Sequence, residues 1–273
     1  MGDWPATLGH GKIVQYGISP SNSLGTSTTS GTANAKSPWT QLTPLSSISA
    51  HGFFLQILSQ GLNDNLVDVG IGESGAVKVI VSNVLYTCGS IADQLFFYAP
   101  VSIAANSKVW ARHQSTGSSG DTIYVSALLC AHGFLGLRPV SKFVTFGAMT
   151  SDSGGTEVDP GGTANTKGAW TEIVASIAIK VRMLYVAIGN RDLATRATMS
   201  LFIDIGIGAS GAEKVLMSNL YCLSEDGGDT WTPQMFGPFF TQVPSGTRLS
   251  ARAQCSSATI NERLFDVVLY GAP

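Results

Sequence analysis

The chain has 273 residues, enough for one large domain or two medium ones, each able to bury a core. Charged residues make up 12%, against roughly 25% in an ordinary soluble protein, and the formal net charge is −2. That balance excludes the basic footprint of a nucleic-acid binder and the cationic face that anionic membranes attract, and it suits either a large core or a surface partly covered by neighbours.

The opening Met1-Gly2-Asp3-Trp4-Pro5 has no basic start and no apolar run, and Ala6 stands where a myristoylation signal wants Ser or Thr. No signal peptide is expected. From Lys12 onward the chain repeats itself. Lys12-Ile13-Val14-Gln15-Tyr16-Gly17 answers Lys142-Phe143-Val144-Thr145-Phe146-Gly147 at an offset of 130. Gly31-Thr32-Ala33-Asn34-Ala35-Lys36 with Trp39-Thr40 answers Gly162-Thr163-Ala164-Asn165-Thr166-Lys167 with Trp170-Thr171 at 131. The offset grows to 136 at Asp68 and Asp204, which places five added residues near Ala194 to Thr198, in a loop. It reaches 140 at Ala111-Arg112 and Ala251-Arg252, and 141 where Ile123-Tyr124 answers Leu264-Phe265. Two tandem modules follow: an N-terminal arm over 1–11, a first module over 12–131, a short linker over 132–141 and a second module over 142–273. Phe134, Leu135 and Leu137 suggest a linker packed on the modules, which then share an interface.

Within a module the period is two. Phe53-Leu55-Ile57 alternates with Phe54-Gln56-Leu58, and Lys108-Trp110-Arg112-Gln114 alternates with Val109-Ala111-His113. Short strands between Gly, Ser, Asn, Asp and Pro clusters predict an all-β protein: two tandem antiparallel β-sandwich modules of jelly-roll type, about eight strands each. The stretch Asp68-Val69-Gly70-Ile71-Gly72-Glu73-Ser74-Gly75 spells G-x-G-x-x-G, as does Asp204 to Gly211. A dinucleotide loop must open a helix, however, and here strand-like Val77 to Val81 and Val215 to Met217 follow. Both copies are therefore read as hairpins turning at Glu73-Ser74-Gly75 and Ala209-Ser210-Gly211. Gly70 and Gly72, with Gly206 and Gly208, leave room on one face that Trp39 and Trp170 are candidates to fill.

No candidate site assembles a chemistry. Asp152-Ser153-Gly154-Gly155 resembles a protease nucleophile segment but has no histidine base to complete a triad, so it reads as a turn. His10, His51, His113 and His132 lack metal-ligand spacing and are expected at the surface or half buried. Asn63-Asp64-Asn65 and Asp226-Gly227-Gly228-Asp229 lack EF-hand spacing. Cys88, Cys130, Cys222 and Cys255 show neither C-x-x-C spacing nor a regular framework and read as reduced, buried hydrophobes. Asp68, Asp204, Arg112 and Arg252 recur in both modules, which points to architecture. Trp4, Trp110 and Trp231 have no counterpart and could stack on sugars. No catalytic, cofactor or metal residues are assigned, and the binding residues are left open.

Gly162-Thr163-Ala164-Asn165-Thr166-Lys167-Gly168-Ala169-Trp170-Thr171-Glu172, followed by Asp204-Ile205-Gly206-Ile207-Gly208 and Lys214-Val215, resembles a module of structural proteins of tailed bacteriophages. The first module departs from it with Ser37-Pro38 in place of Gly168-Ala169. The resemblance implies a non-enzymatic virion protein made in the host cytoplasm and displayed on the particle exterior as a head decoration or tail appendage. Its implied partners are other virion proteins and copies of itself, with no nucleic acid or membrane. The alternative is a receptor- or glycan-binding module of a tail fibre, with a host-surface glycan as partner.

Overall fold

A computed structural model describes residues 12–19, 21, 24–59, 63–87, 94–117, 120–132, 137–190, 199–223 and 234–273. The expected arm over 1–11, the five-residue insertion, Cys88, His10, Trp4, Trp231 and Asp226 to Asp229 lie outside these residues.

Nineteen strands and a single helical turn, α1 (Ile260–Arg263), make up the regular structure among the described residues. The first ten strands are β1 (Ile13–Tyr16), β2 (Ile18–Ser19), β3 (Leu24–Thr29), β4 (Thr40–Gln41), β5 (Gly52–Ser59), β6 (Asp64–Ile71), β7 (Lys78–Thr87), β8 (Gln94–Ala99), β9 (Val109–Ser115) and β10 (Thr122–Cys130). They form one sheet in the order β2-β3-β10-β5-β8, with β1 also on β10, and a second in the order β4-β9-β6-β7. The remaining nine are β11 (Val144–Phe146), β12 (Thr156–Val158), β13 (Thr171–Val174), β14 (Val181–Asn190), β15 (Ser200–Ile207), β16 (Lys214–Leu223), β17 (Gln234–Val243), β18 (Leu249–Cys255) and β19 (Phe265–Ala272). Their sheets run β11-β19-β14-β17, with β12 on β19, and β13-β18-β15-β16. The chain crosses between the two sheets at most connections, the Greek-key path of a jelly roll. The protein is therefore two tandem antiparallel sandwiches built from one duplicated pattern.

Alternation places the core. Phe53, Leu55 and Ile57 are fully buried on β5 while Phe54, Gln56 and Leu58 are half buried on its other side. Val109, Ala111 and His113 point inward from β9. Each G-x-G-x-x-G stretch is a hairpin, β6 to β7 and β15 to β16, closed by Ala76 N–H to Glu73 O and Ala212 N–H to Ala209 O. No helix follows either one. The ladders shift the last sequence match by one residue: Ile123 faces Ser59, whereas the residue facing Asn190 at the same place is Phe265, not Leu264.

The sheet containing β14 and β19 is buried on both faces. Leu184, Val186 and Ile188 with Val267 and Leu269 fill the second sandwich's own core, while Met183, Tyr185, Ala187, Val268, Tyr270 and Ala272 join the core of the first. Phe97 packs edge-on against Tyr185 at 5.1 Å, and Phe143 lies 5.7 Å from Tyr185. The second sandwich thus lays the outer face of one sheet over the β7–β8 side of the first. Leu137 is buried in this shared core, and Val140 pairs with Val101 beside it.

Candidate functional site: duplicated acid clusters, the junction and an open edge

The repeated G-T-A-N-x-K string makes a turn that delivers its lysine. Asn34 and Asn165 adopt φ of 56° and 58°, a left-handed conformation that asparagine tolerates, and their N–H groups bond Ser115 O and Cys255 O. Two residues on, Lys36 reaches Asp68 at 2.9 Å and Lys167 reaches Asp204 at 2.8 Å. Arg112 and Arg252 bond the second carboxylate oxygens at 2.9 and 3.0 Å, and their guanidinium groups lie 4.4 and 4.5 Å over Trp39 and Trp170. Asn83 N–H and Asn219 N–H, at a bulge where both residues have φ of 53°, complete the sets at 2.8 and 2.9 Å. Each aspartate is 3% exposed and ties three strands to a loop. Burial opposes the charge of Asp204, but bonds from Lys167, Asn219 and Arg252 outweigh it and hold the carboxyl below the usual carboxylate range. Burial pushes the Lys36 ammonium below its ordinary value even with Asp68 beside it.

The tryptophans occupy the expected places. A Cβ on Gly206 would come within 2.7 Å of Trp170, and one on Gly70 would meet Val77 and Trp39. Gly72 and Gly208 serve differently from the expectation: they have φ of 131° and 113° at the mouth of the hairpin, and a Cβ on Gly72 would press on Ala76 O at 2.8 Å.

An open cleft of about 650 Å³ lies at the junction, lined by Lys36, Asp68, Arg112 and Gln114 from the first sandwich and by Lys142 and Thr150 from the second. Ser153 does not act as an exposed nucleophile there. It is fully buried, donates to Asn34 Oδ1 at 2.7 Å and accepts from Gln114 Nε2, so its turn clamps the sandwiches together. Asp152 accepts from Gly154 N–H within that turn.

His113 departs from the expected surface or half-buried setting. It is fully buried, its Nδ1 lies 2.7 Å from Thr28 Oγ1, and desolvation pulls its pKa down to about 4. His51 and His132 are exposed. Trp110 is 7% exposed and donates its indole N–H to Gly72 O, which leaves it no free face for sugar stacking. Cys130, Cys222 and Cys255 are free and buried, and burial raises the Cys222 thiol to about 12. Among the described residues no three His, Cys, Asp or Glu side chains gather closely enough to hold a metal ion.

Sequence reasoning missed the junction's central group. The Tyr270 hydroxyl accepts from Leu85 N–H at 2.8 Å and donates to Asn83 O at 2.9 Å, satisfying the outward backbone of β7 at its bulge. Phe143 N–H bonds Ile80 O, and Thr145 Oγ1 bonds Ser82 O. The available signal was that Val181 to Ile188 and Phe265 to Tyr270 carry apolar residues on both strand faces, the pattern of a doubly covered sheet.

Among the described residues, the second sandwich has the same edge without a covering sheet. Val215, Tyr221 and Leu223 of β16 are 48%, 52% and 41% exposed, and Phe202 lies tilted beside Tyr221 at 5.5 Å; Phe240 of β17, 69% exposed, lies on the other sheet, on the face that Met183 shares.

Fold and surface together define a tandem jelly-roll protein whose duplicated aspartates are held by internal ion pairs and whose open apolar surface, among the described residues, lies along β15 and β16. No protein-family model matches the chain, and no curated protein matches it significantly. Among solved structures it is similar to the STIV major capsid protein, at 8% identity and TM-score 0.39, with 96% of each chain covered. It is also similar to the N-terminal CBM22-1–CBM22-2 tandem domain of Paenibacillus barcinonensis Xyn10C, at 13% identity and TM-score 0.28, covering 97% of this chain and 91% of that one. At such scores the architecture rests on the strand order and register given above.

Proposed function

We propose that the chain is a non-enzymatic structural protein of a tailed-phage virion, displayed on the particle exterior as a head decoration or tail appendage and acting through protein–protein interfaces. The observation that carries this reading is the apolar strip on the outer face of β15 and β16, where Phe202, Val215, Tyr221 and Leu223 remain in solvent among the described residues. Large exposed apolar patches mark surfaces that meet another macromolecule. The duplicated acids support the same reading, because Asp68 and Asp204 are each held by two cations and a backbone N–H and serve the fold. The phage-like G-T-A-N-x-K and D-x-G-x-G strings supply the setting.

Particles assembled without this protein provide the test. Purified chain should add to them saturably, with affinity only mildly weakened by salt because an apolar contact offers few charges to screen. It should turn over no peptide, ester or glycan. Attachment to susceptible cells by a protein that ignores particles would favour the receptor-binding alternative and overturn this reading.

A further inference from the structure

We propose that copies of this chain join head to tail: the open β15–β16 edge of one copy's second sandwich receives the outer face of the next copy's first sandwich. The contact repeats between chains the one that joins the two sandwiches within a chain. The inference deepens the virion reading and takes its biological setting from it.

The covered and open edges correspond residue by residue. On β6 and β7, Gly70 faces Val79 and Val67 faces Val84; on β15 and β16, Gly206 faces Val215 and Ile203 faces Leu220. The register shifts fall at the same places in both hairpins, so β16 is β7 displaced by 136 positions. Side-chain chemistry is kept as well. Val79, Ile80, Val81 and Val84 correspond to Val215, Leu216, Met217 and Leu220. The cross-strand pair Leu66 and Leu85, 0% and 3% exposed under the second sandwich, corresponds to Phe202 and Tyr221, 37% and 52% exposed. An edge facing only water would gain solubility from polar residues at these sites. Instead the open copy carries larger aromatic groups than the covered one.

The covering face also exists twice. In the second sandwich it consists of Phe143, Thr145, Tyr185 and Tyr270. The ladders put Ile13 where Phe143 stands, Gln15 where Thr145 stands, Phe54 where Tyr185 stands and Leu128 where Tyr270 stands. Ile13 is 58% exposed and Gln15 is exposed, whereas Phe143 is 3% exposed. Ile13 N–H can meet Leu216 O as Phe143 N–H meets Ile80 O, and the Gln15 amide can reach Ser218 O as Thr145 reaches Ser82. Leu128 lacks the hydroxyl with which Tyr270 bonds the bulge. The contact between chains is therefore weaker than the one within a chain and depends on concentration. Because the two surfaces differ, the contact is heterologous and either closes into a ring or extends as a filament.

Sedimentation velocity on the full chain tests this with two variants: Tyr221→Asp/Leu223→Asp, which spoils the edge, and Ile13→Asp/Leu128→Asp, which spoils the face. Wild-type chain should sediment faster as concentration rises. Each variant alone should remain monomeric, and their equimolar mixture should form a dimer and stop there, since one intact edge meets one intact face. Should a double variant lose its near-UV dichroism, the single changes Tyr221→Asp and Ile13→Asp take its place. Dimerisation of the face variant by itself would mean edge-to-edge pairing and overturn the head-to-tail order. A wild-type chain that stays monomeric at every concentration would overturn the inference outright. If that monomer still adds saturably to particles, the edge belongs to another virion protein and the virion reading stands. Self-association without particle addition would do the reverse.

Discussion

Strands β7 and β16 are one strand written twice, and they end in opposite environments. Both carry the same bulge, the same left-handed asparagine and the same bond from that asparagine's N–H to a buried aspartate. On β7 the residues Val84, Leu85, Tyr86 and Thr87 are all buried, whereas their counterparts Leu220, Tyr221 and Leu223 are half buried or exposed and only Cys222 stays inside. Local geometry is thus set by the repeat, and burial is set by whether another sandwich arrives. A duplicated module that stacks once leaves one edge and one face unused.

The largest difference should come from cutting the same position in the two edges. Leu85→Ala removes a side chain packed at 3% exposure against Gly189 and should cost about 2–5 kcal/mol in urea unfolding. Tyr221→Ala in the monomer should cost about 0.5 kcal/mol or less. Equal losses would mean that β16 is covered within the chain after all.

Next come the acid clusters, where the two modules should behave alike. Asp204→Asn should lower stability by roughly 2–4 kcal/mol, near or below the figure for a fully buried pair, because Lys167 and Arg252 are 20% and 30% exposed. Asp68→Asn should fall at the upper end, since burial already disfavours the Lys36 charge. Thermal unfolding that ranks them the other way would assign the junction no part in desolvating Lys36.

Within the first pH unit below 6.5, the smallest effect distinguishes the modules. His113 occupies the position of Ala253, so the first sandwich alone buries a neutral imidazole there. Its folded pKa of about 4 lies below the ordinary 6.5, so the unfolded chain takes up the proton first as the solution is acidified. The penalty is absent above pH 6.5, grows by about 1 kcal/mol over the first unit below it, and levels off beneath the folded value. His113→Ala should flatten the stability profile in that window, and an unchanged slope would place the acid sensitivity elsewhere.

Much of this was legible in the sequence because it depends on short-range rules. The period-two pattern of β5 and β9, the helix-free continuation after Gly75 and Gly211, and the space that Trp39 and Trp170 fill beside Gly70 and Gly206 all follow from residues close in sequence or matched by the repeat. The architectural role of Asp68 and Asp204 was visible for the same reason. His113 was not, because its burial depends on Thr28 lying across the sandwich. Ser153 likewise takes its role from Asn34 and Gln114 in the other module. Tyr270 was the hardest to see, since its hydroxyl serves a bulge 185 residues away. An offset of 141 at the last strand was also one short, because similarity of letters cannot resolve a single-residue slip that a hydrogen-bonded ladder fixes.

Hydrogen exchange followed strand by strand tests the central contrast most directly. In dilute chain, the amides of Val79 to Thr87 should be protected, Leu85 by its bond to Tyr270, while the outward amides of Val215 to Leu223 exchange quickly. As concentration rises, or on addition to particles, protection should appear along β16 and leave β7 unchanged. A β16 as protected as β7 in the dilute monomer, or still fully exchanging in the assembled state, would contradict the account.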